Sequence, residues 1–155
     1  MTFSVKKISG YISNYQSFLK LGSNDREVGF IKQAFNDCSN YKNVIYALFD
    51  EQNIIYGFIA LSASKVELIP CLLIDYIFVV KEYRKIIFPK LNNLKVSAYL
   101  LSLADDIAED IKSKIGLKWI VLIADNDKLA DYYVSEFDFK KFKSKEKFEY
   151  LFIKI

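Results

Sequence analysis

Apolar residues recur along this chain at two spacings, every second residue and every third or fourth, and each switch between them marks an element boundary. Residues 3–7 alternate weakly and read as a first strand. Residues 11–20 place Tyr11, Ile12, Tyr15, Phe18 and Leu19 on one helical face. Residues 22–26 read as a turn. The run EVGFIKQAFNDC, from Glu27, puts Val28, Ile31, Ala34 and Phe35 on a second helical stripe, which residues 39–43 end. VIYALFD (44–50) and IIYGFIALSA (54–63) then read as strands joined by the turn DEQN. Gly57 inside the second of them signals a bulge or a close backbone approach.

Residues 66–70 lead into a third strand at 72–80. It is almost wholly apolar, as a strand covered on both faces would be, and Asp75 interrupts it. Residues 81–96 carry mixed character and Pro89, which a helix interior does not accept. They read as a loop with a short helical turn. From Ser97 to Gly116, Leu100, Leu103, Ile107, Ile111 and Ile115 recur at helical spacing, with Ser97 as the N-cap and Gly116 as the stop. Residues 117–124 read as a strand and 127–135 as a short helix capped by Asn126 or Asp127. Residues 139–142 and 148–155 read as a closing hairpin.

The order is β-α-α-β-β-β-α-β-α-β-β. The helix between the strands at 72–80 and 117–124 has the length of a right-handed parallel crossover. The hairpins argue for a mixed sheet. The expectation is one α/β domain over 1–155, a mixed sheet flanked by helices, with ligands in crevices at strand ends.

Composition narrows the chemistry. The chain has 155 residues, 11 Tyr, 13 Phe and a net charge of +3. Such a charge neither demands nor excludes a polyanionic partner. Histidine is absent, which removes Ser-His-Asp triads, Cys-His pairs and HExxH zinc sites. Cys38 and Cys71 lie far apart, form no CxxC and read as buried thiols in a reducing compartment. No metal site is expected. The N-terminal residues lack the apolar region of a signal peptide. No run is long enough to span a membrane, so a cytoplasmic protein without a membrane partner is expected. With five glycines in all, and neither GxxxxGK[ST] nor GxGxxG, a glycine-rich nucleotide site is not expected.

Three features remain as candidate chemistry. The helix beginning near Ser97 offers unpartnered amides and a favourable dipole to an anion such as a pyrophosphate. Lys95, Arg84 and Lys85 stand near it in sequence; an ordinary capped helix with exposed bases is the alternative. Tyr132 and Tyr133 lie in the short helix, where a phenol can donate a proton to a leaving thiolate or simply pack. Asp75 reads as a general base, as a group that orients an amine, or as a strand-end partner for a lysine. Glu67 is a weaker candidate, and DDIAED (105–110) reads as a solvated helix face. KKFKSKEK (140–147) reads as a solvated hairpin turn. With Arg84, Lys85 and Lys90 it is also the basic surface that an RNA substrate would need.

Taken together these segments resemble the GCN5-related N-acetyltransferase (GNAT) family, over nearly the whole chain and most clearly over 45–155. IIYGFIALSAS is similar to the family's second hairpin strand, and LIDYIFVVKEYR to its fourth strand, ending V-x-x-x-Y-R. WIVLIADNDKLADYYVSEFDF resembles its N-x-x-A-x-x-F-Y-…-G-F segment. Ala130, Tyr133 and Phe139 match. Asp127 stands at the asparagine with Asn126 just before it, Val134 stands at the usual tyrosine, and Asp138 replaces the glycine. Within the family, GFIALS (57–62) is similar to compact acetyltransferases that include tRNA-acetylating toxins.

The resemblance implies transfer of an acetyl group from acetyl-CoA to an amine of a small molecule, a protein or an aminoacyl-tRNA. The alternative is a catalytically impaired member serving as a binding or structural module. It implies that Val79 and Val80 pair with the pantetheine arm, and that main-chain amides over Lys95, Val96, Ser97, Ala98 and Tyr99 hold the pyrophosphate. It adds Asn126 as a cofactor contact, Tyr133 as the acid that protonates the CoA thiolate and Asp75 as the base. A homodimer is compatible with it. The loop motif R/Q-x-x-G-x-G/A finds only Ala98 in NLKVSA, and the segment before it is expanded by roughly ten residues relative to the pattern. Val96 is β-branched where the family turns on glycine.

Overall fold

The computed structural model describes residues 2–10, 15–143 and 149–155. Residues 11–14 of the first expected helix and most of the linker in the closing hairpin lie outside them. The elements are β1 (Phe3–Ile8), α1 (Gln16–Leu19), α2 (Asp25–Ser39), β2 (Val44–Asp50), β3 (Ile55–Val66), β4 (Ile69–Val79), β5 (Ile87–Phe88), β6 (Leu94–Lys95), α3 (Val96–Lys112), β7 (Trp119–Leu122), α4 (Asp127–Phe137), β8 (Lys140–Lys143) and β9 (Glu149–Lys154). Seven strands form one sheet in the order β1-β2-β3-β4-β7-β9-β8, and β5 and β6 form a separate ribbon. β4 and β7 run parallel, while β1–β2, β2–β3, β7–β9 and β8–β9 are antiparallel. This is the expected α/β class, a mixed sheet flanked by helices.

Two compact units are formed, Met1–Leu61 with Tyr76–Leu101, and Ser62–Asp75 with Ser102–Ile155. The first is built on aromatic packing. Phe35 and Cys38 of α2 are buried with Phe18, Ile45, Phe58 and Phe78. Phe18 and Phe35 lie 4.5 Å apart, and Phe35 and Phe58 5.6 Å. α2 starts two residues earlier than its apolar stripe suggests, because Asn24 caps it. The Asn24 Oδ1 accepts from the Glu27 amide at 2.9 Å, and Glu27 Oε1 accepts from the Ser23 amide at 3.1 Å. Together the two bonds satisfy two donors that the helix cannot, one in its first turn and one just before its cap. The second unit packs Val66, Cys71, Trp119 and Val121, with Trp119 stacked on Phe152 at 4.2 Å. Both cysteines are free and buried, as their spacing suggests.

Three expectations are corrected. β3 and β4 are joined directly rather than by a linker at 66–70. Glu67 and Leu68 make the turn with φ of 49° and 68°. The twist of a two-residue hairpin loop favours such backbone, but neither residue is a glycine or asparagine that would announce it. Glu67 is therefore an exposed turn residue. Residues 81–96 are not mainly loop: they hold β5, β6 and 3₁₀ turns at Lys81–Tyr83 and Pro89–Leu91. α3 begins at Val96 and ends at Lys112, so Ser97 lies in its first turn rather than at its cap. Its fully buried face is Leu100, Leu101, Ala104 and Ala108, and Ile115 lies beyond the helix, 66% exposed. Two of these four are alanines, to which apolar spacing alone gives no weight.

Candidate active-site elements

The parallel ladder pairs Cys71 with Trp119 through to Ile74 with Leu122, where β7 ends. β4 continues to Val79. Asp75, half-buried, is the first residue of β4 past that ladder. At the far end, the Val80 amide donates to the Tyr56 carbonyl at 3.0 Å. That contact depends on a bulge. Leu48 pairs with Gly57 and Phe49 with Ile55, leaving Tyr56 as the extra residue of β3. Gly57 follows it, and a Cβ there would stand 2.4 Å from the Phe78 carbonyl oxygen. The same Cβ would lie 3.3 Å from both Val79 Cα and Val96 Cγ1. The end of β4 and the start of α3 therefore meet at Gly57, which lies next to the bulge and is itself the close approach that a glycine inside a strand signals. Val79 and Val96 flank Gly57 here, and Val80 is held on the neighbouring Tyr56.

The expanded segment between them is anchored. Tyr83 lies 4.3 Å from the Tyr56 ring, and Phe88 lies 5.5 Å from both Tyr56 and Phe3. The Tyr56 hydroxyl donates to Asp50 Oδ2 at 2.9 Å, while Asp50 Oδ1 accepts from the amides of Gln52 and Ile54 at 2.8 and 3.0 Å. Burial pushes the Asp50 carboxyl up, but these hydrogen bonds outweigh it and hold the group below its ordinary range. Pro89 opens the second 3₁₀ turn, and Asn92 and Asn93 reverse the chain with φ of 56° and 60°. Asparagine tolerates that backbone better than other residues with a Cβ. Two asparagines thus carry this left-handed reversal. Val96 is fully buried against Gly57, so its branched side chain serves the core. Lys95, Ser97, Ala98 and Tyr99 are half-buried around the first turn of α3.

Arg84 does something the sequence did not disclose. Its Nε donates to the Val79 carbonyl at 2.8 Å and its Nη2 pairs with Glu27 Oε2 at 3.0 Å. Its guanidinium lies over the Phe78 ring at 5.6 Å. The charge expected to assist an anion is already neutralised.

In the other unit, Asn126 caps α4: its Oδ1 accepts from the Leu129 amide at 2.9 Å. Tyr133 is 8% exposed and packs against Tyr132, Phe137 and Phe139 at 5.6, 6.1 and 6.1 Å. Burial pushes its phenol up to about 12, with Tyr132 and Asp125 adding to the shift. Val134 is half-buried beside it. Asp138 ends the helix with φ of 61°, which explains how it replaces a glycine. Asp75, Asn126 and Tyr133 thus belong to one unit, and Val79, Val80 and 95–99 to the other. Among the described residues, no group of three or more His, Cys, Asp or Glu could hold a metal ion. Among them, too, no helix is long and apolar enough to cross a membrane.

The mixed sheet and its flanking helices make a GNAT-like architecture. No family model matches the chain, and no curated protein does. Solved structures do. AtaT complexed with acetyl-methionyl-tRNAfMet is 12% identical, with a TM-score of 0.74 over 98% of this chain and 94% of that one. A mutant AtaT toxin bound to the C-terminus of the antitoxin AtaR is 14% identical, with a TM-score of 0.76 over 99% and 92%. AtaTR bound with AcCoA is 14% identical, with a TM-score of 0.73 over 99% and 93%. At these identities the likeness is one of fold.

Proposed function

We propose that this protein is an acyl-CoA-dependent N-acyltransferase that moves an acetyl group from acetyl-CoA to an amine. The observation that carries the reading is the early end of the β4–β7 ladder at Ile74 and Leu122, with β4 running on to Val79. A strand edge left in this way suits an amide-bearing arm that pairs as an added strand. The fold likeness supports it, since AtaTR is among the matched structures in a form bound with AcCoA.

The residues present fit the group. Val79 would pair with the pantetheine arm; Val80, expected to share that role, instead has its amide on the Tyr56 carbonyl and its carbonyl on the Tyr83 amide. The segment 95–99, half-buried except for the buried Val96, would hold the pyrophosphate. When bound, acetyl-CoA supplies a thioester carbonyl as the electrophile. In this reading the acceptor amine would form the new C–N bond as the thioester C–S bond broke. Asp75 would take the proton that the amine loses, directly or through water. Tyr133, whose phenol burial pushes up to about 12, would give its hydroxyl proton to the departing thiolate. Asn126 caps α4, the helix that carries Tyr133.

The acceptor class is an aminoacyl-tRNA, a protein or a small amine, and AtaT complexed with acetyl-methionyl-tRNAfMet makes the first the leading choice. Thiol release from acetyl-CoA, measured with charged tRNA, peptide and small-amine acceptors, tests this. Release with at least one acceptor, together with its acetylated product, is expected. Binding of acetyl-CoA without release for any acceptor would favour the second reading, an impaired family member acting as a binding module. Val134, at the position where the family carries its tyrosine, is the observation behind that reading.

A further inference from the structure

Arg84 makes three contacts with one planar group. It donates to the carbonyl of Val79, the last residue of β4, at 2.8 Å, and it pairs with Glu27 in the first turn of α2 at 3.0 Å. Its guanidinium carbon lies 5.6 Å from the centre of the Phe78 ring. Glu27 in turn holds the Ser23 amide through its other oxygen at 3.1 Å. One guanidinium thus ties the end of β4, the expanded segment and the joint between α1 and α2. Its ion pair is partly exposed and would contribute little to stability alone. The fork geometry is the informative part, because only arginine serves two acceptors with a rigid pair of donors.

We infer that Arg84 is a positioning residue: it fixes the direction of the Val79 carbonyl, and so the strand edge to which the cofactor arm pairs. This rests on the proposed reading of that edge. A carbonyl oxygen has two lone pairs, so Arg84 can hold Val79 while leaving room for a cofactor amide. Glu27 keeps the guanidinium from swinging away. Arg84 therefore assists the cofactor through the backbone rather than by touching a phosphate.

The test is calorimetric titration of acetyl-CoA into the full chain, with thermal unfolding as a control. Arg84→Lys keeps the charge but loses the fork, and weakens binding by about tenfold, the equivalent of about 1.4 kcal/mol. Glu27→Arg with Arg84→Glu restores the ion pair and the melting temperature. It leaves an acceptor facing the Val79 carbonyl, so affinity stays about tenfold down. Wild-type affinity in the Arg84→Lys protein, or its full return in the swap, overturns the inference alone. A wild-type protein that does not bind acetyl-CoA overturns the proposed function, and this inference with it.

Discussion

The carbonyl oxygen of Phe78 lies 2.4 Å from where a Cβ on Gly57 would stand. The atom in the way is backbone, so the strand itself would have to move. Gly57→Ala should therefore destabilise the protein by on the order of 3 kcal/mol, as other strongly clashing core changes do. Denaturant unfolding checks this. Because Val79 and Val96 close over the same glycine, the variant should also bind acetyl-CoA more weakly than its stability loss alone would suggest.

Tyr133→Phe keeps the ring that packs on Phe137 and Phe139 and removes only the hydroxyl. If the phenol is the acid, turnover should fall by about 100-fold. The melting temperature should barely change. An unchanged turnover would assign the ring to packing and return attention to Val134.

Tyr56 and Tyr133 both stay neutral far into alkali. Burial pushes each phenol up to about 12, and for Tyr56 the bond to Asp50 adds to it. In the unfolded chain a tyrosine titrates near 10. The folded state thus binds these protons more tightly. The stability this supplies is complete below about pH 10 and is lost as the pH rises through about 12. Unfolding measured across that window should show a steep loss, and Tyr56→Phe and Tyr133→Phe should each flatten it. Spectrophotometric titration should show late-ionising phenols, Tyr56 and Tyr133 among them, with burial also raising Tyr46.

Asn92 and Asn93 hold consecutive left-handed backbone. Replacing either with Ala should cost about 1 kcal/mol, while Gly should cost little or nothing. Urea titration of the four variants separates the two outcomes. Equal losses for Ala and Gly would mean that the asparagine side chains, not their backbone, hold the turn.

The sequence makes some of this architecture readable and hides the rest for physical reasons. β2 appears at its expected bounds because its apolar run is long and ends at a turn. Gly57 announces its own close approach, since a glycine in a strand weakens it without such a reason. The β5–β6 ribbon is hidden because each strand has two residues. Its order comes from Tyr83 and Phe88 packing on Tyr56, which no local period records. Glu67 and Leu68 hide their turn by lacking turn chemistry. Arg84 was visible as a charge, but its partner Glu27 lies 57 residues away. The roles proposed for Tyr133, Asp75 and the cofactor segments rest mainly on family resemblance, because a phenol or carboxylate at one position carries little information by itself.

Titration of acetyl-CoA into the purified protein, followed by calorimetry, tests the central claim most directly. Saturable one-site binding with a dissociation constant below about 1 mM is expected, in the range enzymes use for their substrates. Absence of heat at millimolar acetyl-CoA, in protein that unfolds cooperatively and is therefore folded, would contradict it.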